Sequence, residues 1–194
     1  HVFAALKELR KQLPFPLLGV DSDNGSEFIN NELLRYCQDQ QITFTRSRPY
    51  RKNDNCFVEQ KNYSVVRRTV GYYRYDTVKQ EELLRSLYAR LRLYSNFFLP
   101  VMKLKEKVRN GSKLTRRYAD PQTPYRRVLV HPQIPQQTKD ALTAQYATLN
   151  VIVLRRQLTT FQTLLFRTAA QAGPPPQVPR SYHYPAPDHP WRST

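Results

Sequence analysis

The sequence predicts an α/β fold: a short parallel strand–helix–strand unit followed by a helical, basic C-terminal region. Three observations carry that reading. Two apolar runs, residues 17–23 and 42–45, bracket a helical span at 30–40. Leucines then recur at helical spacing through residues 78–98. Two further helical spans, 138–149 and 151–170, complete the folded part before proline takes over the composition.

Residues 1–13 read as an amphipathic helix, with Phe3, Leu6, Leu9 and Leu13 on one side and Lys7, Arg10 and Lys11 mostly between them. Pro14 and Pro16 stop it. Residues 17–23 form a short apolar run ending in acid, as a buried strand would. Asn24-Gly25 supplies a sharp turn, because both residues tolerate positive φ. Asn30 caps a helix reaching Gln40, with Leu33, Leu34 and Cys37 expected to face inward. Residues 42–45 give the second strand, and strand–helix–strand is a parallel crossover.

A polar, basic loop at 47–55 contains Pro49 and leads into a long helix expected over about 55–73. The next helix, 78–98, turns Leu83, Leu84, Leu87, Leu91 and Tyr94 to one side and ends at Pro100. Residues 103–127 are basic and expected to be irregular in part. Residues 173–194 include Pro174-Pro175-Pro176 and read as a disordered or polyproline-like tail. The boundaries follow: an α/β unit over 1–76, a helical basic region over 77–172, and the tail over 173–194.

Lys and Arg total 31 against 15 Asp and Glu, a formal charge of +16. Between Arg46 and Arg127 there are 21 basic and 7 acidic residues, a net of +14. A stripe of that sign attracts polyanions, and each phosphate it neutralises releases a counterion, so nucleic acid is the expected partner. Cys37 and Cys56 form no CxxC pair and have no histidine at zinc spacing, so they read as small buried residues in a reducing compartment. No apolar run approaches the ~20 residues that span a bilayer, and no secretory signal opens the chain. Its first residue, His1, reads as a cut, a processing product or an incomplete gene product.

Asp23 ends a predicted strand, where side chains project into the crevice in which open α/β sheets bind ligands. Glu59 stands near the start of the long helix, after the basic loop. A phosphodiester is anionic and resists anionic attack. Two divalent cations about 3.5–4 Å apart can clamp both its attacking and its leaving oxygen. Magnesium needs oxygen ligands, so carboxylates from separate elements inside a basic surface are the residues such chemistry requires.

The segment Asp23-Asn24-Gly25-Ser26-Glu27-Phe28 resembles the surroundings of the second aspartate in the catalytic core of retroviral integrases and bacterial transposases. Val58-Glu59-Gln60-Lys61-Asn62 resembles the segment around that core's final glutamate, and 35 residues separate Asp23 from Glu59, the spacing of this Asp-Asp-Glu recombinase family. Residues 45–55 are similar to the family's intervening loop. Arg116-Arg117-Tyr118 and Thr123-Pro124-Tyr125 resemble, more loosely, the downstream part of one bacterial transposase group.

The resemblance implies a partial RNase H-like fold, the C-terminal part of a mixed sheet with flanking helices. It implies metal-dependent DNA strand transfer, with Asp23 and Glu59 as catalytic ligands to Mg2+ or Mn2+. The nucleophile is then water or a DNA 3′-hydroxyl, in the DNA-associated cytoplasm of a bacterium. In the family the first aspartate and three opening strands precede the helix that begins here. The expectation is therefore a fragment with two of three carboxylates and a two-stranded, marginal sheet. Asp21, two residues from Asp23 on one strand face, is the obvious substitute; otherwise it is an acid that supports a neighbouring ligand or faces solvent.

Around the pair, Arg46, Arg48, Arg51, Lys52, Lys61, Arg67 and Arg68 are candidate DNA contacts, or else a solvated face. Gly25 supports the turn. Asn62 lies one turn after Glu59, to orient it, touch substrate or bond the backbone. Glu27 reads as a helix-start charge. Tyr72, Tyr73 and Tyr75 could stack on bases, though core packing is the reading for most of them. Residues 138–170 could form a helix pair packed on itself or a surface for self-association, since joining two DNA ends calls for an assembly. His131, His183 and His189 receive no role. Two alternatives stand beside strand transfer: a DNA-binding remnant without chemistry, and an RNase H-like nuclease that cuts without joining.

Overall fold

A computed structural model describes residues 2–23, 25 and 31–170 of the chain. The expected turn at Asn24, the cap at Asn30, Glu27 and the proline-rich stretch lie outside the described residues. The architecture is mixed α/β, with two small sheets and a majority of helix.

The first unit is the predicted crossover. Helix α1 (Val2–Gln12) leads to strand β1 (Gly19–Ser22), helix α2 (Asn31–Asp39) and strand β2 (Thr43–Arg46). The strands pair in parallel, Gly19 with Thr43 through Ser22 with Arg46. Alternation sends Val20, Ser22 and Phe44 toward the helices. There Leu33, Cys37 and Ile42 are buried, and Phe3, Leu6, Leu17 and Tyr36 pack around them. The Phe3 ring meets Tyr36 edge-on with centroids 5.1 Å apart, and Arg10 donates to the Tyr36 hydroxyl at 2.9 Å. The opposite sheet face, Gly19, Asp21, Thr43 and Thr45, is exposed. Leu34, expected inward, is 43% exposed, because α2 turns Leu33 and Cys37 onto the sheet and Tyr36 fills the space beside them.

The long helix expected over 55–73 is a composite. A 3-10 turn (Lys52–Asn55) runs into α3 (Cys56–Lys61), which widens into a π-helical segment (Asn62–Arg67) before a last turn, α4 (Arg68–Val70). Only the end of this run is anchored. Thr69 and Val70 are buried, whereas Phe57, Tyr63 and Val65 stay 70%, 60% and 42% exposed. Gly71 ends the run at φ +69, a conformation open to glycine.

Helix α5 (Val78–Phe98) begins and ends where the leucine pattern places it. Thr77 and Gln80 form a capping box. Leu87 is fully buried with Val70, Leu158 and Leu165, and Leu83, Leu84, Leu91, Tyr94 and Phe161 surround them. Each such leucine contributes about 1.5–3 kcal/mol by leaving water. The partner of α8 (Val151–Ala170) is thus α5. Helix α7 (Gln136–Ala147) instead sits against α6 (Pro124–Val130), so the two last helices do not form a self-packed pair. Phe97, Tyr125 and Tyr146 hold this end together, with ring centroids 5.0–6.1 Å apart.

Part of the stretch expected to be irregular is an antiparallel hairpin, β3 (Leu104–Asn110) and β4 (Lys113–Tyr118). Its two-residue loop places Gly111 at φ +60, as a hairpin turn of the primed class requires. Among the described residues, no helix is long and apolar enough to cross a membrane.

Candidate functional site

Parallel strands end at the same edge of their sheet, so β1 and β2 deliver Asp23 and Ser47 to one place. Ser47 donates its backbone N–H (3.0 Å) and its hydroxyl (3.3 Å) to the Ser22 carbonyl, which locks the two exits together. Asp23 follows directly. Its Oδ1 accepts the Gly25 N–H at 3.0 Å. Asp21 points to the open sheet face, where its Oδ1 accepts the Thr45 hydroxyl at 2.8 Å.

From Ser47 the chain enters the basic loop. Arg48 grips Asp54 through Nε (2.7 Å) and one terminal nitrogen (3.0 Å), and its backbone N–H reaches the same carboxylate at 3.2 Å. These bonds hold the Asp54 carboxyl down at about 2. Tyr50, fully exposed at the tip, sits at φ +60, unusual for a residue with a Cβ. The loop is thus a closed turn, and it delivers the chain to α3, where Glu59 is exposed. The backbone N–H of Asn62 donates to the carbonyls of Val58 and Glu59, at the point where the helix widens. Single π turns inside helices recur at functional sites.

The candidate cations fall into two groups. Arg46, Arg51, Lys61 and Arg68 are exposed and form no salt bridge among the described residues, although the charge of Arg51 acts on Asp54. Arg48 is paired with Asp54, and half-buried Arg67 lies over the Tyr72 ring at 4.7 Å. The side chain of Lys52 lies outside the described residues. Tyr73 packs on Phe166 with centroids 5.7 Å apart, and the Tyr75 hydroxyl donates to the Val70 carbonyl at 2.6 Å. Those two are packing residues, while Tyr72 is 47% exposed. Cys37 is buried as expected; Cys56 is exposed.

Among the described residues, no three His, Cys, Asp or Glu side chains converge on a common point that could hold a metal ion. Asp23, Asp21 and Glu59 offer hard oxygen donors, the class that Mg2+ and Mn2+ take. Asp21 and Asp23 each already have one oxygen engaged.

No family model matches the sequence, and no solved structure matches it. Over 126 residues the chain is 48% identical to the uncharacterized protein y4rM of Sinorhizobium fredii (strain NBRC 101917 / NGR234). The match covers 65% of this chain and 36% of that protein, so the chain spans little more than a third of this relative.

Sequence reasoning missed the hairpin, which carries Lys105, Lys107, Arg109, Lys113, Arg116 and Arg117. The signal that marks it is Gly111-Ser112 between two short runs, a pair suited to a two-residue hairpin loop.

Proposed function

We propose that this chain is part of a transposase or integrase catalytic core, an RNase H-like α/β unit that acts in metal-dependent DNA strand transfer. The observation that carries the reading is the shared strand edge. Asp23 leaves β1 beside Ser47, and the chain from Ser47 runs through a closed basic loop to an exposed Glu59. Open α/β sheets bind their ligands at this edge. Asp23 at a strand end and Glu59 on a helix support the reading drawn from their motifs.

In this reading Asp23 and Glu59 are the two carboxylate ligands of Mg2+ or Mn2+. A bound ion would supply positive charge to offset the negative charge of the phosphodiester. Magnesium takes one or two protein carboxylates and fills its remaining positions with water and substrate phosphate, so a pair suits it without a third side chain. The Gly25 N–H holds one Asp23 oxygen and leaves the other to bind. Arg46, Arg51, Lys61 and Arg68 hold the DNA backbone, at positions a bacterial DNA-associated protein would present to its substrate. Joining two ends also calls for self-association.

The test uses the full chain with pre-cut duplex ends, a target duplex and Mn2+. Amide resonances near Asp23 and Glu59 should broaden together when the paramagnetic ion is added with DNA. Asp23→Asn and Glu59→Gln should each abolish that broadening and leave DNA affinity nearly unchanged, because the exposed cations carry affinity. Broadening at one carboxylate alone, or at neither while DNA still binds, would refute the metal pair and favour a binding module without chemistry. Joined product identifies strand transfer; cut product without joining identifies a nuclease.

A further inference from the structure

The β3–β4 hairpin is buried on neither side. Every residue of β3 is exposed, and on β4 Leu114 alone is half-buried. A lone two-stranded ribbon is marginal in water, and this one carries an added cost. Lys107 stands directly opposite Arg116 in the register, and like charges at opposed positions repel.

Alternation sorts the cations. Lys107 and Arg116 share a face with Arg109 and its partner Leu114. Glu106, the hairpin's one acid, belongs to the other face, where it meets Arg117 at 3.4 Å. The first face therefore bears three cations and no carboxylate of the hairpin, and Lys105 adds a fourth cation at the irregularity near its base. The base is fixed. Val101 bridges to Gln122, the Ala119 N–H donates to the Lys103 carbonyl at 2.8 Å, and Arg127 donates to the Val101 carbonyl at 2.6 Å.

We propose that this ribbon is a DNA-binding arm that lies in the major groove of B-form duplex, with Lys107, Arg109 and Arg116 against phosphates. That groove, about 12 Å wide, admits a two-stranded ribbon. Phosphate removes the repulsion between Lys107 and Arg116 by giving both an anionic partner. The polar tip, Asn110-Gly111-Ser112, carries no apolar residue to enter a lipid surface. The inference shares its DNA partner with the strand-transfer reading and needs neither Asp23 nor Glu59.

Binding of the full chain to a short labelled duplex is followed by fluorescence anisotropy over a salt series. Changing Lys107, Arg109 and Arg116 together to Gln should lower the slope of log affinity against log salt by about 2.7, at ~0.9 for each phosphate left without its cation. Lys79, Arg155 and Arg156, exposed elsewhere, provide a control triple of equal charge change. Thermal stability of the hairpin triple should hold or rise, because a like-charge pair has gone; if that variant misfolds, Arg109→Gln alone should still lower the slope by about 0.9. An unchanged slope, or equal loss in both triples, overturns the arm, as does selective loss of binding to anionic vesicles with duplex binding intact. The two readings fail separately: an unchanged Mn2+ response in the carboxylate variants sinks strand transfer and spares the arm, and an unchanged salt slope sinks the arm alone.

Discussion

Arg48 holds Asp54 by two guanidinium nitrogens, at 2.7 and 3.0 Å, across the loop that joins β2 to α3. The Arg48 side-chain hydrogen bonds are the largest cause of the low Asp54 value, about 2, against 3.8 for a free aspartate. The folded value lies below the unfolded one, so the contribution of the pair is complete above the unfolded value. It is lost as pH falls toward about 2. Carboxyl-carbon NMR titration should show the Asp54 midpoint near 2, and Arg48→Gln should raise it, with the residue 48 backbone N–H and the Arg51 charge still holding it below the ordinary range. A midpoint already ordinary in the unaltered chain would exclude the clamp.

The same clamp separates two neighbouring cations. Arg48 already has a carboxylate, whereas exposed Arg51 does not hydrogen-bond one. On the proposed DNA-binding role, Arg51→Gln should therefore reduce the salt dependence of binding by about 0.9 in slope. The change for Arg48→Gln should be smaller. The opposite ranking would show that Arg48 leaves Asp54 to meet phosphate.

The Tyr75 hydroxyl donates to the Val70 carbonyl, and burial pushes its ionisation up to about 12. Here the folded value lies above the unfolded one near 10, so stability is complete below about pH 10 and falls as pH rises through about 12. Tyr75→Phe should cost about 1 kcal/mol in urea unfolding and remove that alkaline fall. Equal stability of the two proteins at neutral pH would contradict the bond.

Gln80 is 2% exposed, and its side-chain carbonyl accepts the backbone N–H groups of Asp76 and Thr77 at 3.0 and 3.1 Å. Gln80→Ala leaves both donors without that acceptor and should cost about 1–3 kcal/mol. Denaturant midpoints measure it; a loss within error would mean that water takes over the cap.

Gly111 has open space around it but sits at φ +60, where a β-branched residue is strained. Gly111→Val should weaken the hairpin by more than about 1 kcal/mol. Faster amide exchange confined to residues 104–118 is the expected result, and unchanged protection there would rule out the turn.

Where burial is one-sided, the sequence announces the element. Strands β1 and β2 and helix α5 each have a covered face, so Val20, Phe44 and the α5 leucines leave a periodic trace. Thr77 with Gln80 also marks the start of α5. The hairpin has no covered face, so its residues carry no apolar alternation and only the loop glycine betrays it. Helix α6 has a capping threonine and a first-turn proline, Thr123 and Pro124, but only 7 residues, too few for a period to show. The break at Asn62 left no local mark, because a run exposed at Tyr63 and Val65 has little packing to impose an α-helical period. For the candidate site, residue types and a spacing that resembles that of the recombinase family single out Asp23 and Glu59. The strand edge that Asp23 shares with Ser47 depends on the parallel pairing, which no single motif encodes.

The Gln162 side chain donates to the Thr69 carbonyl at 2.9 Å, across 93 residues of sequence. During synthesis the segment bearing Glu59 therefore emerges long before the helix that fastens its end. Its final seating waits on a contact of high sequence separation, the kind that forms slowly. A chain interrupted before Gln162 would keep the Tyr75 bond to Val70 and the packing of Val70 on Leu87, and would lose the tie to Thr69.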